Sequence, residues 1–118
     1  MRILIDPQKP KPRTVKRVAE ILAGGGIIVY PTDTVYGLGC CITNKKGIDT
    51  INSIKASVKP RSIMFSNIKD ITRYAKVSNE AFRIMRSLLP GPYTFILPAT
   101  RLVPRLLQSN RKAIGIRI

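Results

Sequence analysis

The groups best suited to chemistry lie in Tyr30-Pro31-Thr32-Asp33-Thr34-Val35-Tyr36-Gly37-Leu38-Gly39. Small hydroxyls, one carboxylate and two phenols follow directly on the apolar run Ile27-Ile28-Val29. A loop of this kind on a hydrophobic scaffold offers several oxygen donors and acceptors at a fixed edge, the pattern of a binding site. The plainer reading is a capped turn, in which Thr32 and Asp33 bond neighbouring amides and Gly37 and Gly39 adopt unusual dihedrals. Three further segments bring polar groups to the ends of elements. Ile54-Lys55-Ala56-Ser57-Val58-Lys59-Pro60-Arg61-Ser62 gathers three cations and two hydroxyls, more than a helix C-terminus needs, and suits a phosphate. Leu89-Pro90-Gly91-Pro92-Tyr93-Thr94-Phe95 is a stiff bend that fixes Tyr93 and Thr94, and Ile114-Gly115-Ile116-Arg117 places a cation in an alternating apolar strand. The chain has no histidine, which removes Ser-His and Cys-His catalysis. Cys40 and Cys41 are adjacent, poorly placed for a disulfide and too few for a metal site, and read as small buried thiols of a reducing compartment. Chemistry here has to work through positioning and charge.

The elements that hold these segments can be read from periodicity. Ile3-Leu4-Ile5 has the pattern of a first strand, followed by an extended connector from Pro7 to Pro12. Val15, Val18, Ala19 and Leu22 share one helical face, and Gly24-Gly25-Gly26 caps that helix before a strand over 27–30. Ile48, Ile51 and Ile54 predict a second helix opening near Asn44. Ile63-Met64-Phe65 reads as a short strand, and Asn67 with Asp70 as the cap of a brief helix carrying Ile68, Ile71 and Tyr74. Ala81, Phe82, Met85, Leu88 and Leu89 form a helical stripe opened by Ser78 or Asn79 and stopped by Pro90. Thr94 to Leu97 and the alternating Ile114, Ile116 and Ile118 read as strands, with Pro104 starting a short helix between them. Strands separated by helices predict an α/β domain with a mixed sheet.

A chain of 118 residues with 44% apolar composition fits one domain. It has no membrane-length apolar run and no signal peptide at its amino terminus, which points to the cytoplasm. The 21 Lys plus Arg against 6 Asp plus Glu give a formal charge of +15, spread from Arg2 to Arg117 and not gathered in a tail. Such a surface attracts nucleotides and nucleic acids.

In order and wording, the four segments resemble the YrdC/YciO family over nearly the whole chain. The run from Asn79 through Pro90 to Pro98 is most similar to the YciO branch. The resemblance implies a twisted α/β sheet with flanking helices around a basic cavity. It also implies an L-threonylcarbamoyladenylate synthase-like nucleotidyltransferase serving tRNA threonylcarbamoyladenosine modification. L-threonine, bicarbonate and ATP would yield threonylcarbamoyl-AMP and pyrophosphate, with Mg²⁺ accompanying the nucleotide and no permanently bound cofactor. By the same resemblance Thr32 and Tyr36 line the threonine pocket and Lys55 matches the lysine of a Lys-x-Arg motif that holds ATP phosphates. Thr94 falls at a nucleotide contact, and Arg117 borders the cavity. The chain departs from the pattern where Ser57 replaces the motif arginine, which leaves Lys59 or Arg61 to supply that charge, and at Cys41, where many members carry an acid or a small residue. The family domain continues into a Ser-x-Asn motif, so residues 1–118 are expected to form a single but incomplete domain, slow or inactive alone, with a partner chain as one source of that segment. The alternative is a basic module that binds double-stranded RNA or tRNA without catalysis.

Overall fold

The computed structural model describes residues 1–56 and 60–118. Its first helix, α1 (Pro12–Ala23), has proline in its first turn, where the missing N–H costs nothing, and gives way at Gly24 and the positive-φ Gly25. A short antiparallel hairpin follows, β1 (Ile28–Tyr30) with β2 (Gly37–Gly39), in the register Ile28 to Gly39 and Tyr30 to Gly37. Helix α2 (Lys45–Ile54) starts at Asn44, whose side-chain oxygen accepts the Gly47 N–H at 2.9 Å. After β3 (Ser62–Met64), Asn67 accepts the Asp70 N–H at 3.1 Å and opens a 3-10 turn that runs into the short α3 (Ile71–Tyr74). Ser78 caps α4 (Asn79–Leu88) through the Ala81 N–H at 3.1 Å, which decides between the two expected starting residues. The chain then forms β4 (Phe95–Pro98), a 3-10 turn after Pro104, and β5 (Ala113–Arg117).

Strand β5 is the centre of a three-stranded mixed sheet, parallel to β3 and antiparallel to β4. Ile114 and Ile116 point to one face and are 1% and 0% exposed, packed with Ile71, Ala75, Met85, Leu89, Val103 and Leu107. Strand alternation sends Gly115 and Arg117 to the other face, beside Ser62 and Met64 of β3. This second face is open: Ile96 of β4 is 76% exposed.

The α/β class with a mixed sheet is as expected, but the strands fall into two sheets, the hairpin standing apart from the other three. Ile3-Leu4-Ile5 does not form the first strand. Residues 1–6 belong to no element, and Leu4 is 79% exposed. An apolar, β-branched run becomes a strand only where another strand's edge takes up its N–H and C=O groups, and no described strand lies alongside this one. Strand β2 replaces the loop expected over Gly37-Leu38-Gly39: Gly-Leu-Gly has low strand propensity, and pairing with β1 imposes the strand.

Candidate substrate cleft

An open cleft of about 750 Å³ lies between the loop joining β1 to β2, the C-terminal end of α2, and the ends of β3 and β5. It gathers Thr32, Tyr36, Lys55, Arg61 and Arg117, five of the residues singled out in the sequence. Thr94 is not part of its lining. It sits just before β4 beside Gly115, where a methyl group on Gly115 would lie 3.1 Å from its Cγ2. Lys59, with Ser57, lies outside the described residues.

The loop is organised by its own hydroxyl. Thr32 Oγ1 accepts the backbone N–H groups of Thr34 and Val35, each at 3.1 Å, and donates to the Val35 carbonyl. Its hydrogen-bonding capacity is thus filled from within the loop. Tyr36, by contrast, is 76% exposed and carries its phenol free at the rim. The glycines that follow keep extended dihedrals, contrary to the expectation of unusual ones, and answer a steric need. A Cβ on Gly37 would stand 2.9 Å from Tyr30 Cζ and one on Gly39 2.8 Å from Tyr30 Cε1, so the tyrosine ring can lie across β2 only where no side chain projects. Arg117 ties the loop to β5: its Nη2 donates to Asp33 Oδ1 at 3.2 Å and to Thr34 Oγ1 at 3.3 Å.

The opposite wall carries the cations. Lys55 is the C-cap of α2, its exposed ammonium where the helix dipole favours it. Arg61 is held to α2 by its Nε, which donates to Asn52 Oδ1 at 2.9 Å. Sequence reasoning missed Arg73 and Tyr74, which also line the cleft. The Arg73 guanidinium lies 5.9 Å from the Tyr74 ring centre, and that ring meets Phe65 at 5.5 Å in a tilted pair. The spacing of Ile68, Ile71 and Tyr74 marks the core side of α3 but says nothing of which other element its last turn will face. Against Lys55, Arg61, Arg73 and Arg117 the described lining has one carboxylate, Asp70, already bonded to Asn67 Nδ2 at 2.9 Å, and Arg117 is paired with Asp33 of the loop. The balance suits an anion carrying several charges. Cys40 and Cys41 are half-buried in the lining; burial, and to a lesser degree the neighbouring Cys41 thiol, pushes the Cys40 thiol up, away from the nucleophilic thiolate form.

The chain as a whole resembles known proteins. Residues 20–118 match the model of the Sua5/YciO/YrdC family, described as "Telomere recombination". The uncharacterized YciO protein of Escherichia coli is 42% identical over 117 residues, covering 97% of this chain and 57% of that protein. A threonylcarbamoyl-AMP synthase of Hydrogenovibrio crunogenus is 32% identical, covering 89% of this chain and 60% of the synthase. The chain thus spans a little over half the length of the curated relatives it matches. Among solved structures, the crystal structure of E. coli YciO superposes with a TM-score of 0.90 at 40% identity, over 96% of this chain and 56% of that one. P. abyssi Sua5 complexed with L-threonine gives 0.85 at 25% identity, over 93% and 33%. A basic RNA-binding module without catalysis gains no support from these likenesses.

Proposed function

The chain belongs to the Sua5/YciO/YrdC family, and on that premise we propose that its cleft binds L-threonine beside a nucleoside triphosphate and favours formation of threonylcarbamoyl-AMP. The observation that carries this reading is the meeting, in one cleft, of a hydroxyl-bearing loop with Lys55, Arg61, Arg73 and Arg117. In this reading the threonine amine attacks the carbon of bicarbonate, a C–O bond breaks and water leaves, giving a carbamate. A carbamate oxygen then attacks the α-phosphorus of ATP, and the bond to the β-phosphate oxygen breaks as pyrophosphate leaves. Both reactants are anions, so their encounter is opposed by repulsion that fixed cations remove, and holding the two in contact converts a bimolecular step into a local one. The exposed Tyr36 phenol and the Thr32-ordered loop would shape the amino-acid end, while Lys55 and Arg61 would hold phosphates. Mg²⁺ would enter on the triphosphate: the described residues contain no cluster of three or more candidate metal ligands, and phosphate oxygens suit this cation. The adenylate would serve tRNA modification.

Calorimetric titration with L-threonine and with ATP tests the reading, together with threonine-dependent release of pyrophosphate in bicarbonate buffer. Saturable threonine binding is expected, with pyrophosphate release that requires both threonine and bicarbonate. Lys55→Ala should weaken ATP at least tenfold, about 1.4 kcal/mol, and leave threonine unaffected. Absence of threonine binding at millimolar concentration would overturn the proposal.

A further inference from the structure

The connection from β4 to β5, residues 99–112, folds around an open hollow of about 810 Å³. No described residue lines both this hollow and the cleft. The charged groups of its lining are Arg101, Arg105 and Lys112, with no carboxylate beside them, and the sequence has no acidic side chain after Glu80. We propose that the hollow is a binding site for a compact oligophosphate anion, of the size and charge of pyrophosphate. Lys112 carries the inference. Its φ of 54° lies in the left-handed region, at the close of a turn in which its N–H donates to the Ser109 carbonyl at 2.9 Å. Glycine takes that place freely, whereas the Cβ of any other residue is crowded by the following carbonyl oxygen. A lysine there strains the backbone and adds charge to a chain already at +15. Its ammonium makes no hydrogen bond or ion pair with any described residue, and neither do the guanidinium groups of Arg101 and Arg105. Strain of this kind gathers where a ligand is gripped.

The frame beneath the three cations is fixed. The Ala99 N–H donates to the Lys112 carbonyl at 2.8 Å, Thr100 Oγ1 to the Arg73 carbonyl at 2.6 Å, and Gln108 Nε2 to the Val103 carbonyl at 2.8 Å. The charges are thus gathered on one short connection before a ligand arrives, which lowers the ordering that binding requires. Each arginine fork can take a pair of phosphate oxygens, and the ammonium adds a point charge between them. That set suits two linked phosphoryl groups better than one. A nucleic-acid strand is the poorer fit. Its phosphates need cations in a row and its bases need stacking partners, whereas these cations ring a hollow whose lining has no aromatic residue. Nothing in this depends on the adenylate chemistry proposed for the cleft.

The test adds inorganic pyrophosphate to the ¹⁵N-labelled full chain without Mg²⁺ and follows amide shifts residue by residue, which separates the hollow from the cleft. The amides of Ser109, Lys112 and Ala113 should move together along one saturable curve. Arg101→Ala with Arg105→Ala should weaken that curve at least tenfold, whereas Arg83→Ala with Arg86→Ala removes the same charge from α4 and should leave it unchanged. Lys112→Gly should weaken it severalfold and yet raise Tm in the absence of pyrophosphate, because the backbone relaxes as the charge is lost. Orthophosphate should bind at least tenfold more weakly than pyrophosphate. Shifts confined to the cleft, or shifts at Ser109 and Lys112 that never saturate, would overturn the proposal. So would equal losses from the loop and α4 pairs, full affinity in Lys112→Gly, or orthophosphate binding as well as pyrophosphate. A hairpin RNA that moves the same amides at lower concentration than pyrophosphate would overturn it too, since the hollow would then belong to a polymer-binding surface.

Discussion

Thr32 and Arg117 act on the same loop by different physics. The Thr32 hydroxyl replaces what would otherwise be unsatisfied backbone groups at the turn, so Thr32→Ala should cost about 1–2 kcal/mol and Thr32→Ser much less. Urea denaturation measures both, and equal losses would show that the methyl group and not the hydroxyl matters. Arg117 pairs with an Asp33 side chain that is 47% exposed, and such pairs are worth roughly 1 kcal/mol or less. Arg117→Ala should therefore barely move the urea midpoint while weakening pyrophosphate binding about tenfold. A large stability loss with unchanged affinity would make the arginine a strut and nothing more. Gly115 is a different case: a Cβ there would lie 2.5 Å from Ser62 Oγ, across the parallel pairing of β3 with β5. Gly115→Ala should destabilise by about 1–3 kcal/mol through overpacking, and the double change with Ser62→Gly should recover most of it.

At the scale of elements, what could be read from the sequence is what local patterns determine. The stripes of α1, α2 and α4 follow a 3.6-residue period, and the caps at Asn44, Asn67 and Ser78 need only three residues of context. The hydroxyl loop, Lys55, Arg61 and Arg117 were singled out by polar groups at the ends of elements together with wording shared with the YrdC/YciO family, and they line one cleft. What escaped depends on partners distant in sequence. Ile3-Leu4-Ile5 looked like a strand and found no edge, and Gly37-Leu38-Gly39 looked like loop and was given one. Arg73 entered the cleft through the packing of α3 against the sheet, which its own segment does not encode. Thr94 failed to line the cleft although it borders Gly115, because it stands ahead of β4 and outside the pairing that aims the neighbouring side chains.

The whole molecule exposes 9078 Å². A compact monomer of 13.1 kDa would expose about 6,400 Å². The excess is visible in the open sheet face, where Met64 is 46% and Ile96 76% exposed. Added to a charge of +15, this predicts a domain of low stability whose folded form is opposed by its own repulsion. Raising NaCl from about 20 to 500 mM should raise Tm by screening that repulsion. Polyphosphate should do the same at low salt and lose its effect at high salt, since it acts by binding the folded state. A melting curve indifferent to both would show that self-repulsion is not what limits stability. The position of β5 has a consequence in time as well. Both pairings of the three-stranded sheet run through it, yet of that sheet's three strands it is synthesised after the other two. Ser62 of β3 leaves the ribosome's catalytic centre about 50 residues before Ala113, a wait of ~3–10 s at ordinary translation rates. Through that interval β3 has no central strand beside it, and β4 is made only about 15 residues ahead of β5, so the nascent chain depends on its repelling charges, and on whatever polyanion lies near, to keep the edges of β3 apart from other chains.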